Sequence, residues 1–135
     1  MKKFFPSQSL IFNISSLLVV LFPASLIAGS FVSELFMNIT SILVVFMIIQ
    51  EKKYYYFKNK LTYFFLIFCM YLLIRSYFSQ DKILSFEAST FYFRYGLFII
   101  AILYLIEEEK KFLNIFFISF LITFTILIFD GYFQF

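Results

Sequence analysis

The chain has 135 residues, of which 63% are hydrophobic and 14% charged, with a formal net charge of +3. This composition excludes a water-soluble globular domain, because a domain of this size needs far more polar surface to cover its core. The chain has no histidine and one cysteine, so histidine-based catalysis and an internal disulfide are excluded as well. Several apolar runs of about twenty residues, each long enough to cross a bilayer, predict an integral membrane protein.

We predict an all-α, polytopic bundle of about five transmembrane helices that form a single domain over residues 1–135. The predicted spans are residues 9–28, 31–50, 61–78, 90–106 and 112–129. The first span follows two lysines, as a secretory signal peptide would, and Ala28-Gly29-Ser30 offers a small-residue cleavage site. An uncleaved first helix is favoured, because its apolar stretch exceeds a signal core and four more spans follow.

Three polar segments connect the later spans. Residues 51–60, EKKYYYFKNK, form the clearest loop. Residues 79–89, SQDKILSFEAS, alternate apolar and polar residues and are predicted to form a short interfacial helix. Residues 107–111, EEEKK, are predicted to be a solvated turn.

The distribution of positive charge predicts the orientation of the bundle. With the N-terminus inside, the cytoplasmic segments contain eight lysines, namely Lys2, Lys3, Lys52, Lys53, Lys58, Lys60, Lys110 and Lys111. The outer segments contain three basic residues, namely Arg75, Lys82 and Arg94. Because positive residues favour the cytoplasmic side, we expect the N-terminus inside and the C-terminus outside.

The candidate ligand-binding residues lie near the predicted outer ends of the spans. Two guanidiniums, Arg75 and Arg94, could hold a lipid diphosphate, since the planar fork matches phosphate oxygens. The alternative is that each arginine extends to the lipid headgroups or pairs with Asp81 or Glu87.

Asp130 and Gln134 complete the set of candidates. If the last helix continues, these two residues share a face at its outer end, where they could contact a sugar. The alternative is a polar helix terminus that is broken by Gly131.

No residue is predicted to be catalytic. The sequence contains no nucleophile paired with a base, no cluster of metal ligands and no glycine-rich phosphate loop. We therefore expect no metal and no cofactor. Nucleic acid is not an expected partner, because there is no basic stripe on a soluble face.

The segment from Phe91, FYFRYGLFII through to DGYFQF, resembles bacterial O-antigen ligases and the related O-antigen polymerases. Its arginine and aromatic residues enter a span, a charged turn and another span follow, and the sequence DGYFQF closes the segment. The earlier FPASLIAGSF, with a second span and a lysine-rich loop, is similar to the start of those proteins. Arg94, Asp130 and Gln134 match the family's pattern, whereas Arg75 is selected by its charge alone.

The resemblance implies a multi-pass glycosyltransferase of the bacterial inner membrane. Such enzymes move undecaprenyl-diphosphate-linked glycan to lipid A–core or to a growing glycan at the periplasmic face. Their catalytic histidine and large outer loop have no counterpart here, so this chain is expected to be the N-terminal portion of such an enzyme and inactive alone. The alternatives are a fragment of a glycan-lipid flippase or transporter, and a small non-catalytic membrane protein.

Overall fold

The computed structural model describes residues 9–134, apart from the side chain of Gln134. Lys2 and Lys3, which contribute to the predicted orientation, lie outside the described residues. The described part consists of helices and connecting turns, with no strand. The α-helices are α1 Leu10–Ala28, α2 Ser30–Gln50, α3 Lys60–Tyr77, α4 Lys82–Phe91, α5 Phe93–Glu108 and α6 Lys110–Gln134, and a 3-10 helix spans Tyr54–Lys58.

Helices α1 and α2 form a hairpin around one residue, Gly29. The hydroxyl of Ser9 caps the start of α1 by accepting a hydrogen bond of 3.2 Å from the Phe12 N–H. Gly29 has φ 125° and ψ 163°, a backbone conformation that is essentially restricted to glycine. Because a single residue reverses the chain, α1 and α2 pack along each other from this point.

The C-terminus of α2 is closed by a Schellman motif. The Lys53 N–H donates to the Ile48 carbonyl at 3.0 Å, and the Lys52 N–H donates to the Ile49 carbonyl at 3.2 Å. Lys52 has φ 56°, the left-handed conformation that usually selects glycine at this position. The motif directs the chain into the 3-10 helix, which leads to α3.

Helices α3, α4 and α5 form a second, longer hairpin. The Ser76 hydroxyl of α3 donates to the Ser85 carbonyl of α4 at 3.0 Å. Farther along, Phe65 of α3 lies against Gly96 of α5. The two contacts lie on either side of the turn at Tyr92 that separates α4 from α5. Helices α4 and α5 therefore pack antiparallel to α3 in the same register, although the turn at Tyr92 separates them.

The core lies between α1, α2 and α5, and α6 packs beside it. Its most buried apolar side chains include Phe12, Val44, Ile48, Ala101, Tyr104, Leu105 and Phe112. Helix α6 is held to α1 by the Ser119 hydroxyl, which donates to the Val20 carbonyl at 2.5 Å. Most side chains of α6 are exposed, as expected for an apolar helix at the lipid-facing edge of a bundle.

Five helical segments are long and apolar enough to cross a membrane, which confirms the prediction of an all-α bundle with five spans. The main difference concerns the fourth span, which was predicted to begin at residue 90. In the structure this apolar segment covers Lys82–Glu108. The predicted short helix is present as α4, but it pairs with the last turns of α3 and continues into α5.

The contacts between connecting segments define two ends of the bundle. Lys53 pairs with Glu108, so residues 51–60 and 107–111 lie at the same end. Following the predicted orientation, we call this the inner end. The opposite end, which holds Gly29 and the turn at residues 78–81, is called the outer end.

Candidate functional site

Arg94 lies near the outer end, in the first turn of α5, and forms an ion pair with Glu34 of α2. Its two terminal nitrogens donate to the two carboxylate oxygens of Glu34 at 3.3 and 3.2 Å. The guanidinium also lies 5.2 Å from the ring centre of Tyr95 and 5.7 Å from that of Phe91. Glu34 was not among the acidic partners considered for Arg94, because the sequence does not show that α2 packs on α5.

The ion pair occupies the terminal fork of Arg94, the part of the side chain that would otherwise hold phosphate oxygens. The remaining nitrogen, Nε, is buried and has no hydrogen-bond partner among residues 9–134. The Arg94 side chain is 26% exposed and that of Glu34 is 48% exposed. In the structure, the terminal nitrogens of Arg94 therefore connect α5 to Glu34 of α2.

Arg75 has different surroundings. It lies in the last turns of α3, is exposed, and makes no ion pair within the described part of the chain. It borders an open groove of about 560 Å³ between α3 and α4. The groove is lined by Leu72, Arg75, Ser76, Phe78, Ser79, Ser85, Ala88 and Ser89. Arg75 is thus the candidate arginine whose guanidinium is available to a ligand.

Four serine hydroxyls line this groove and join α3 to α4. Ser76 and Ser89 are buried, and their hydroxyls contact each other. Ser89 also donates to the Ser85 carbonyl at 2.7 Å. The Ser85 hydroxyl donates to the Ser79 hydroxyl at 2.7 Å, so the Ser79 proton points to another acceptor. Hydroxyls of this kind hold helices together in lipid, and Ser79 lies where it can also meet a ligand.

The two candidate arginines are not brought together. The contacts of Ser76 with Ser85 and of Phe65 with Gly96 set an antiparallel register, and extending it puts residue 94 opposite about residue 67 of α3. Arg75 is about eight residues farther along α3, which corresponds to roughly 12 Å at the rise of an α-helix. The structure therefore places Arg75 at the outer end and Arg94 about two turns deeper.

Asp130 and Gln134 lie on the last turns of α6. The helix continues through Gly131 to Gln134, so Gly131 does not break it and the two residues are on the same face. Asp130 is exposed. The side chain of Gln134 lies outside the described residues. Their predicted role in sugar binding stays a prediction.

The sequence analysis missed a polar network at the inner end. Lys53 forms ion pairs with Glu108 and, at 2.9 Å, with Glu51. The Tyr104 hydroxyl donates to Glu51 at 2.8 Å, and the Tyr56 hydroxyl donates to Glu108 at 3.4 Å. This network connects the end of α2, the 3-10 helix and the end of α5. Glu108 therefore belongs to a helix and an ion pair, rather than to a solvated turn.

The network shifts the pKa of both charged residues that lie outside the spans. Burial alone would raise the pKa of Glu51, but hydrogen bonds from Lys53 and Tyr104 and the lysine charge outweigh it, so this pKa lies below its usual 4.5. Burial alone would lower the pKa of Lys53, but bonds to Glu108 and Glu51 outweigh it, and its pKa lies above 10.5. The sequence held one sign of this network, because Glu51, Lys53 and Glu108 have opposite charges and lie at the ends of spans.

The described residues include no group of three or more histidine, cysteine or acidic side chains that could hold a metal ion. Comparisons with protein families, with curated proteins and with solved structures found no match.

Proposed function

We propose that this chain is part of an O-antigen ligase-like membrane glycosyltransferase and that it binds undecaprenyl-diphosphate-linked glycan at the outer end of the bundle. The acceptor is lipid A–core or a growing glycan, and the location is the bacterial inner membrane. The observation that carries the proposal is Arg75, an exposed guanidinium without a carboxylate partner among the described residues, at the edge of a serine-lined groove.

The chemistry of this groove suits a lipid diphosphate. An arginine presents several N–H donors to phosphate oxygens, and the Ser79 hydroxyl, four residues later, adds a donor. The groove lies between the apolar helix α3 and the amphipathic helix α4, so a ligand held there by its phosphates can keep its lipid tail in the bilayer. Arg94 supports the proposal less than the sequence suggested, because Glu34 already neutralises it.

The ion pair between Arg94 and Glu34 favours a second candidate, a non-catalytic membrane protein. In that case the charged residues at span ends serve to position the helices, and Arg75 extends to the headgroups of ordinary lipids. The two candidates differ in one measurable property, the selective binding of a polyprenyl diphosphate.

The proposal is tested with the full chain in lipid nanodiscs. We expect undecaprenyl diphosphate to bind more tightly than undecaprenol, which lacks the phosphates. Arg75→Gln is expected to weaken diphosphate binding about ten- to a hundredfold, the value of a charge-assisted hydrogen bond of about 1.5–3 kcal/mol.

The matched control is Lys82→Gln, which removes a positive charge at the same end but outside the groove. This variant is expected to bind the diphosphate almost as tightly as the unmodified chain. Equal binding of undecaprenol and undecaprenyl diphosphate, or no effect of Arg75→Gln, would favour the non-catalytic membrane protein.

A further inference from the structure

The lysines at the inner end fall into two groups that the sequence does not distinguish. Lys53 lies inside the polar network, where it pairs with Glu51 and Glu108. One lysine thus engages the carboxylates of both Glu51 and Glu108. We call residues 52–60 the basic loop. Its other lysines form no ion pair with a described carboxylate.

Three lysines of the basic loop are exposed. Lys52, Lys58 and Lys60 make no ion pair with any of the described residues. Two tyrosines of the same loop, Tyr54 and Tyr55, are 50% and 57% exposed. The buried Tyr56 anchors the 3-10 helix that carries both tyrosines, through its contacts with Tyr104 and Glu108. The loop is therefore an ordered surface with three positive charges and two amphipathic rings.

We infer that the basic loop binds the headgroups of anionic phospholipids in the leaflet at the inner end. The loop joins two spans directly, so its side chains lie at the level of the headgroups. Tyrosine favours that level because its ring is apolar and its hydroxyl is polar. Each lysine near an anionic membrane surface adds attraction that salt screens. The lysines are spread along an open surface, which suits several headgroups rather than one acidic peptide.

The second lysine pair at the inner end provides an internal comparison. Lys110 and Lys111 are also exposed, but they directly follow Glu107, Glu108 and Glu109. The Glu109 carboxylate accepts a hydrogen bond from the backbone N–H of Lys111 at 3.3 Å. Neither lysine makes an ion pair within the described residues, but Glu107 and Glu109 lie beside the pair in sequence and reduce the net positive charge of this segment. This inference does not depend on the proposed glycosyltransferase function.

The test measures lipid binding by native mass spectrometry of the full chain in detergent, titrated with phosphatidylglycerol or phosphatidylcholine. We expect the unmodified chain to prefer phosphatidylglycerol. The double variant Lys58→Gln/Lys60→Gln is expected to reduce that preference about thirtyfold, since each of the two lysines contributes about 1 kcal/mol near the surface. The double variant Lys110→Gln/Lys111→Gln removes the same charge and is expected to lose much less.

Circular dichroism establishes that each double variant keeps its helical content, so that a loss of binding reports on the surface. A rise in salt concentration is expected to reduce the preference of the unmodified chain and to have little effect on the basic-loop variant. Equal binding of the two lipids by the unmodified chain would overturn the inference. An equal loss in the two double variants would also overturn it, because binding would then follow net charge alone.

Discussion

Gly96 of α5 lies so close to Phe65 of α3 that a β-carbon on residue 96 would be 2.3 Å from Cε1 of the phenylalanine ring. An alanine at this position would therefore force the Phe65 ring to move. Between this crossing and the outer end, the hydroxyls of Ser76 and Ser89 join α3 to α4. Close backbone approach and serine hydroxyls are the two means by which helices associate in lipid, where apolar burial adds little.

Gly96→Ala is expected to destabilise the bundle by about 1–2 kcal/mol, because overpacking outweighs the better helix propensity of alanine. Gly131→Ala in α6 is the matched control, since nothing lies within 4 Å of its would-be β-carbon. That variant is expected to be neutral or slightly stabilised. Unfolding in mixed detergent micelles measures both effects. Phe65→Leu should reduce the cost of Gly96→Ala, and equal stability of the two alanine variants would contradict the close crossing.

Gly29→Ala is expected to destabilise the α1–α2 hairpin by about 1–3 kcal/mol, because φ 125° with ψ 163° is strained for any residue with a β-carbon. The space around Gly29 is open, so the strain comes from the backbone alone. Lys52→Gly is the complementary change, since it relieves φ 56° at the end of α2 and should stabilise the protein by up to about 1 kcal/mol. The same unfolding assay checks both signs.

The ion pair of Arg94 with Glu34 predicts that the charges can be exchanged. Glu34→Arg alone places two guanidiniums together and should destabilise the bundle, whereas Glu34→Arg with Arg94→Glu should recover most of the loss. A double-mutant cycle with alanine is expected to give a coupling of about 1 kcal/mol, in the range found for pairs between membrane helices. Arg94→Lys should lose part of this coupling, because lysine lacks the bidentate contact. A coupling near zero would show that the ion pair does not help to hold α2 against α5.

The inner polar network predicts how stability depends on pH. The pKa of Glu51 is lowered, so its contribution is present at neutral pH and is lost as the pH falls through a value below 4.5. The pKa of Lys53 is raised, so its contribution is complete below pH 10.5 and is lost at higher pH. In Lys53→Met, the loss of stability at acidic pH should begin at a higher pH, and the loss of stability at alkaline pH should be smaller. Lys58→Met, at an exposed lysine outside the network, should leave the profile of thermal unfolding against pH unchanged.

The predicted orientation is tested with enzyme fusions. Alkaline phosphatase fused after Phe135 should be active, because the C-terminus is expected outside the cytoplasm. The same enzyme inserted within residues 51–60 should be inactive. The reverse pattern would place Arg75 in the cytoplasmic leaflet and the basic loop at the opposite face. Both the proposed glycan site and the site of lipid binding would then be on the wrong sides.

The positions of the spans could be predicted from the sequence, because crossing a bilayer is a local requirement on length and polarity. Each apolar run satisfies this requirement independently of the other runs. Charged clusters likewise mark the ends of the helices, which is why Arg75 and Arg94 were both expected near the outer end. The fourth span shows the limit of this reasoning. Residues 82–91 are amphipathic by sequence, yet they form a helix whose buried Ser89 contacts Ser76 of α3.

What only the tertiary structure decided is which helix faces meet. Arg94 pairs with Glu34 across 60 residues, and Lys53 pairs with Glu108 across 55. In a membrane, a helix such as α6 is apolar on all sides, so its pattern of hydrophobicity does not say which face packs. The rotation and depth of each helix are set by small residues and hydroxyls that fit one another, as Gly96 fits Phe65. The sequence by itself therefore determined five spans and their charged ends, whereas packing decided which arginine is paired and which is available to a ligand.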